Sequence, residues 1–422
     1  MNKISNLFKG DKVIWMLFFI LCLVSIIEVF SASSFLTFKG GSYLGPLIKH
    51  TFYILLGVLT MIVIVNIPCK YFKVFTFPYL MLSLILLISV YFIGESTNGA
   101  NRWISIAGIN FQPSELAKGA LVLAVAQILS AMQTDKGADK QAFTLVMITC
   151  ALVIPLIFVE NLSTAALLSF VVFCMMIIGR VPFSQLGKLV GVIAIIISVA
   201  LASIMLFGKD KKEEIAQGKE KTELVETTAN AEVKEEKGML SSVLHRMDTW
   251  KSRINEFFAP EVAPKDYDLD GKAQVAHANI AIVKSNGIGR GPGNSEERDF
   301  LSQAFSDFIY AIIIEEMGIA GAALVAILYV ILFWRAGTIA RNCANTFPAF
   351  LAMGIGLLLV VQAMFNMAVA VGLAPVTGQP LPLISRGGTS TIMNCVYIGV
   401  LLSISKSAKK REPKKHVQPA VA

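Results

Sequence analysis

Asp307, in the run Ser306-Asp307-Phe308-Ile309-Tyr310, is the carboxylate with the clearest chemical opportunity. It stands at the start of a long apolar stretch, where a membrane helix meets water. A carboxylate there can take a proton from a hydroxyl. Glu315 follows eight residues on, about 12 Å deeper by helical rise and about 80° round the helix, so both acids can face one cavity. Cations able to hold an anion come earlier in the chain. Arg102 lies in the segment Asn98–Ser105, and Phe111-Gln112-Pro113-Ser114-Glu115-Leu116-Ala117-Lys118 follows. Pro113 suits the first turn of a helix, and Glu115 and Lys118 are i,i+3 neighbours that can pair. Gln362 and Asn366 lie four residues apart, on one face of a later apolar run. After them Pro375, Pro380 and Pro382 break the helix, with Ser385, Gly387 and Gly388 close behind. Irregular backbone at membrane depth is tolerated only where it is buried in protein or lines a cavity.

These groups need elements to position them, and the composition says which. Of 422 residues 55% are apolar and 16% are charged, and the mean hydropathy is +0.66. Soluble proteins carry about 25% charged residues, so an ordinary soluble enzyme, a disordered chain and a disulfide scaffold are excluded. Six scattered cysteines and four scattered histidines form no CxxC pair or Cys/His cluster, which argues against a zinc site.

A span needs roughly 20 apolar residues. Ten runs qualify, near 13–33, 47–66, 76–94, 114–132, 143–159, 162–180, 185–207, 305–334, 348–372 and 388–406. The expected fold is therefore all-α and polytopic. Residues 1–207 hold spans one to seven, 208–303 form one long polar loop, 304–406 hold spans eight to ten, and 407–422 form a basic tail. One set of short loops and ends carries Lys3, Lys9, Lys12, Lys70, Lys73, Lys136, Lys140, Arg180, Lys188, Arg335, Arg341 and the tail lysines. The other carries only Lys39, Lys49, Arg102 and Arg386. By the positive-inside rule both termini are cytoplasmic, and the net charge of +8 reflects topology rather than nucleic-acid binding.

The long loop then falls on the outer face. Lys209–Lys237 alternates Lys and Glu and reads as a solvated insertion. Leu240, Val243, Leu244, Met247, Trp250 and Ile254 recur at helical spacing beside Arg246, Lys251 and Arg253, which reads as an amphipathic helix on the membrane surface. Gln274 precedes the run Gly287-Ile288-Gly289-Arg290-Gly291-Pro292-Gly293. No Gly-Lys-Ser/Thr follows it and no strand precedes it, so it is neither a Walker loop nor a dinucleotide fingerprint.

Four stretches in order, NGANRWI with FQPSELAK, SNGIGRGPGNS, SDFIYAIIIEEMGIAG and PVTGQPLPLISRGGTS, resemble the SEDS family of FtsW, RodA and SpoVE, and the likeness covers nearly the whole chain. It leans towards the cell-division branch. Where many members have His-Thr before the aspartate, Phe305-Ser306 stands here, and Glu160-Asn161-Leu162-Ser163-Thr164 lacks the usual acid. The resemblance implies a peptidoglycan glycosyltransferase that polymerises lipid II at the outer face of the cytoplasmic membrane, with Asp307 catalytic. Arg102, Gln112, Glu115, Lys118, Gln274, Arg246, Arg253, Ser385 and Gly387 would contact substrate, and Glu315, Gln362 and Asn366 would support them. It implies as partners an undecaprenyl-linked glycan strand, a class B penicillin-binding protein, other division proteins and membrane lipids, with no nucleic acid. It names no definite cofactor and leaves a divalent cation open. A lipid II flippase, a RodA-type elongation polymerase and a non-catalytic scaffold are the alternatives the same residues allow.

Overall fold

The computed structural model describes residues 9–33, 45–97, 100–106, 109–207, 273–301 and 304–408. Arg246, Arg253 and the expected amphipathic helix lie outside the described residues. Eleven helices occur among those described. They are α1 (Lys12–Ser33), α2 (Gly45–Asn66), α3 (Lys70–Ile93), α4 (Pro113–Ala131), α5 (Lys140–Glu160), α6 (Leu162–Ile178), α7 (Phe183–Phe207), α8 (Ala273–Lys284), α9 (Ile309–Asn342), α10 (Thr346–Ala370) and α11 (Thr389–Ser407). Seven of them, α1–α5, α9 and α10, are long and apolar enough to cross a membrane. α6, α7 and α11 fall where the other three apolar runs were read.

The helices α4 and α10 are central, buried along most of their length. α3 is peripheral and turns Phe75, Phe77, Phe92 and Ile93 outward, as a lipid-facing helix must. Small residues set the close approaches. A Cβ on Gly57 of α2 would lie 2.6 Å from the Cys395 sulfur of α11, and one on Gly119 of α4 would lie 2.7 Å from the Tyr397 ring.

Two features depart from an unbroken helical reading. Residues before α4 form a three-stranded antiparallel sheet of β1 (Glu95–Thr97), β2 (Ala100–Ile106) and β3 (Ile109–Phe111). β1 and β3 are too short to show an alternation, and β2, Ala-Asn-Arg-Trp-Ile-Ser-Ile, does not keep one. α9 is interrupted at Gly318, whose φ of 68° and ψ of −171° are not helical. A Cβ there would meet the Ile288 carbonyl carbon at 2.4 Å, and one on Gly289 would meet the Glu316 oxygen at 2.5 Å. Two backbones touch where neither residue has a side chain, which is the role the glycine run serves here.

Candidate functional site

The segment after α10 stays irregular from Leu373 to Gly388, so its carbonyls need donors from elsewhere. Side chains from three helices supply them. Asn366 of α10 donates to the Gln379 carbonyl at 2.7 Å, and Gln362 of α10 donates to that of Pro380 at 3.0 Å. Tyr329 of α9 donates to the Pro382 carbonyl, and Ser25 of α1 donates to that of Ile384 at 2.6 Å. His50 of α2 contacts the same Ser25 hydroxyl at 2.8 Å. Polar residues on otherwise apolar spans therefore satisfy the broken segment, which is how the bundle accommodates it.

This segment holds Asp307. Asn366 also donates to the Asp307 carbonyl at 2.9 Å. Ser385 donates to the Ser306 carbonyl at 2.6 Å and accepts from the Leu381 amide at 2.7 Å. The Arg386 amide donates to the Phe305 carbonyl at 2.9 Å, and its guanidinium lies 5.0 Å over the Phe305 ring. The main chain before α9 is thus gripped at three consecutive residues, 305, 306 and 307. The Asp307 carboxylate is partly exposed and accepts from the Ser306 hydroxyl at 3.0 Å. A Cβ on Gly378, whose φ is +69°, would stand 3.4 Å from its Oδ2, so glycine there lets the chain pass beside the carboxylate.

Glu115 and Lys118 pair at 2.8 Å in the first turns of α4, 2% and 0% exposed. Lys118 also donates to Gln362 at 2.7 Å, and Tyr397 donates to the Glu115 carbonyl at 2.7 Å. Sequence reasoning had Lys118 hold an anionic headgroup at the surface. Instead its ammonium is fully buried and spent on Glu115 and Gln362, so the pair ties α4 to α10 beneath the irregular segment. Gln112 is partly exposed just before α4. Gly387 accepts from the Ser390 amide at 3.0 Å as α11 begins.

Arg102 lies in β2. The β1–β2 register pairs Glu95 with Trp103 and Ser96 with Asn101, which leaves Arg102 as the extra residue of a bulge. Bulges re-aim a strand next to a site. β3 reaches the same region, because Thr389 donates to the Asn110 carbonyl at 3.3 Å.

Glu315 is not brought to Asp307 by any direct contact described. Its carboxylate accepts from the Ser295 hydroxyl and from the Glu296 amide at 3.0 Å. Glu316 accepts from Ser31 of α1 and from the Gly293 amide at 2.9 Å. The glycine run therefore wraps two acids of its own chain. Gln274 is partly exposed on α8, which packs on α9. Beyond it, Glu296 sits between Arg290 at 2.7 Å and Lys284 at 2.9 Å. Hydrogen bonds from these two cations hold the exposed Glu296 carboxyl down at about 2. Among the described residues, no three His, Cys, Asp or Glu side chains gather as a metal site.

Gln379 was missed in the sequence as a site residue, although it lies between Gly378 and Pro380. Its side chain donates to Thr164 of α6 at 2.8 Å and its carbonyl accepts from Asn366. A lone amide in a proline-bounded break was the signal. Tyr329 and Ser25 carried none, being a tyrosine and a serine inside long apolar runs.

The model of the cell cycle protein family FtsW, RodA and SpoVE matches residues 11–410. The chain belongs to this family. It is accordingly a polytopic membrane protein. A probable peptidoglycan glycosyltransferase FtsW from Geobacter sp. (strain M18) is 30% identical over 401 residues, 94% of this chain and 96% of that relative. A chain solved in work on polymerization and crosslinking by a peptidoglycan synthase complex superposes with a TM-score of 0.68 at 21% identity, covering 94% of this family member and 98% of that chain. A mutant of the Thermus thermophilus rod shape determining protein RodA gives a TM-score of 0.63 at 21% identity, covering 95% and 99%.

Proposed function

We propose that this FtsW/RodA/SpoVE member is a peptidoglycan glycosyltransferase that polymerises lipid II for septal wall synthesis. In this reading both termini are cytoplasmic, ten helices span the cytoplasmic membrane, and Asp307 faces the outer side. A class B penicillin-binding protein and other division proteins are its proposed partners.

The observation that carries the reading is the contrast among four acids. Glu115, Glu315 and Glu316 are buried, whereas Asp307, which accepts from Ser306, is partly exposed on a main chain held at three residues. A positioned, accessible carboxylate is what a general base requires. Asp307 takes the proton from the 4-hydroxyl of the acceptor GlcNAc. That oxygen attacks the anomeric carbon of the MurNAc at the lipid-linked end of the growing strand, with inversion. The bond to the diphosphate breaks, and undecaprenyl diphosphate leaves with the electron pair. Charge on the leaving group needs cations. Arg102, on the bulge, and Arg386 are the residues assigned to it. Glu115, Lys118, Gln362, Asn366 and Ser385 position the broken segment rather than touch substrate.

The test is polymerisation of labelled lipid II by the purified chain, with and without a class B penicillin-binding protein. Asp307→Asn keeps the size and most hydrogen bonding of the side chain, and should slow the reaction on the order of 10²–10⁴-fold at every substrate level. Near-parent polymerisation by that variant, with equal membrane levels, ends the assignment.

A further inference from the structure

The ends of α3, α9, α10 and α11 farthest from Asp307 enclose a cavity of about 340 Å³. Pro68, Lys70, Lys73, Asn345, Phe347 and Ser407 are among the residues that line it. Both lysines are exposed, and the lining contains no acid. Among the described residues neither lysine has a carboxylate partner. Lys73 stands 5.2 Å over the Phe347 ring, which holds its ammonium towards the cavity wall. The first turns of α3 and α10 open at the same place, after Cys69 and Asn345, and neither has a side-chain cap. Their positive ends add to the field of the two lysines. The Lys70 ammonium lies 5.0 Å over the Tyr71 ring, so the result is a concave site with two cations that no carboxylate neutralises.

We infer that this cavity binds the phosphate headgroup of an anionic phospholipid from the leaflet opposite the Asp307 side. A lipid fits better than a soluble anion for two reasons. The cavity opens where spans end, so a headgroup reaches it without leaving the membrane surface. From Lys70 and Lys73 onward, α3 also turns Val74, Phe75 and Phe77 outward, 69%, 57% and 70% exposed, which offers acyl chains an apolar track. Basic pockets between spans on the cytoplasmic side suit such headgroups. The inference is independent of the catalytic reading, since the site lies at the other end of the bundle.

The experiment measures lipid retained by the full-length purified chain after extraction from vesicles of phosphatidylglycerol and phosphatidylcholine, by native mass spectrometry. The parent should retain phosphatidylglycerol selectively. Lys70→Gln with Lys73→Gln should lower that retention on the order of tenfold, and Lys70→Arg with Lys73→Arg should keep it. Asn345→Asp places a negative charge in the cavity at a position where aspartate is favoured as much as asparagine, and should lower retention with no loss of thermal stability. It therefore decides the matter should the double lysine variant fold poorly. Lys136→Gln with Lys140→Gln, on another loop, should change nothing. Equal retention in the Lys70/Lys73 and Asn345 variants overturns the inference, as does equal loss in the Lys136/Lys140 variant. Displacement of the lipid by millimolar inorganic phosphate, with no lipid preference, overturns the lipid assignment.

Discussion

The Asn366 amide nitrogen donates to two carbonyls at once, that of Asp307 at 2.9 Å and that of Gln379 at 2.7 Å. One side chain in α10 thereby fixes both the turn before α9 and the proline-broken segment beside it. Asn366→Leu keeps the branched shape and heavy-atom count but strands both carbonyls, at about 1–3 kcal/mol for a buried group left unpaired. The melting temperature should fall. Polymerisation should fall by up to about 10²-fold, the scale of a small misplacement of a reacting group. Unchanged turnover with a lowered melting temperature would show that this bond serves the fold alone.

Lys118→Met leaves Glu115 buried without its cation, which costs on the order of 3–5 kcal/mol. The double variant Glu115→Gln, Lys118→Met removes the stranded charge and should melt higher than the single one. Because Lys118 is 0% exposed, extra lipid II should not restore the single variant's rate. Recovery at high substrate would return Lys118 to direct headgroup binding.

Gly318→Ala and Gly289→Ala each drive a Cβ into opposing backbone, at 2.4 and 2.5 Å, from a left-handed residue. Each should destabilise by more than about 1 kcal/mol. Gly187→Ala on α7, with nothing within 4 Å, should be neutral or stabilising by up to about 1 kcal/mol. Thermal melting of the three variants in one detergent compares them. Equal melting would remove the contact between the glycine run and the α9 break.

The Glu296 carboxyl is held down at about 2, from 4.5, by Arg290 and then Lys284. A depressed carboxyl contributes fully above its unfolded value and loses that contribution as pH falls through its folded one. The loop over residues 285–297 should therefore keep its amide protection between pH 7 and 4.5 and lose some of it towards pH 2. Glu296→Gln should abolish that pH dependence. Since the pair is exposed and screened, its effect on exchange at pH 6 should be no more than about fivefold. A parent loop whose protection falls between pH 6 and 5 contradicts the pairing.

Orientation is tested with single cysteines at Glu223 and Lys414 in a background without native cysteines. An impermeant maleimide applied to intact spheroplasts should label the first and spare the second. Labelling of the second reverses the proposed topology.

Apart from α3 and α9, which ends at Asn342 rather than near 334, the described helices lie within a few residues of the apolar runs, because burial in lipid leaves a composition signal that needs no context. α3 begins earlier than its run, at Lys70 rather than near 76, since lysine stems can lie along an apolar surface with the charge in water. The Glu115–Lys118 pair, the helix start at Pro113 and the broken segment with its amides on α10 were legible for local reasons of spacing and turn chemistry. What stayed hidden was set by tertiary contact. Whether Lys118 met a headgroup or Gln362, whether Glu315 met Asp307 or the loop amides, and which hydroxyls served the broken segment all depended on residues 18 to 359 positions away.

The broken segment also bears on the order in which the protein is built. Its side-chain donors Ser25, Tyr329, Gln362 and Asn366 all precede it in the chain, so these four have left the ribosome before the carbonyls they serve. Residues 379–385 cannot settle in lipid alone, because their carbonyls would go unpaired there. The Asp307 turn therefore cannot take this form until Ser385 and Arg386 have been made, and a chain stopped before Gln379 lacks two of the three bonds that grip it.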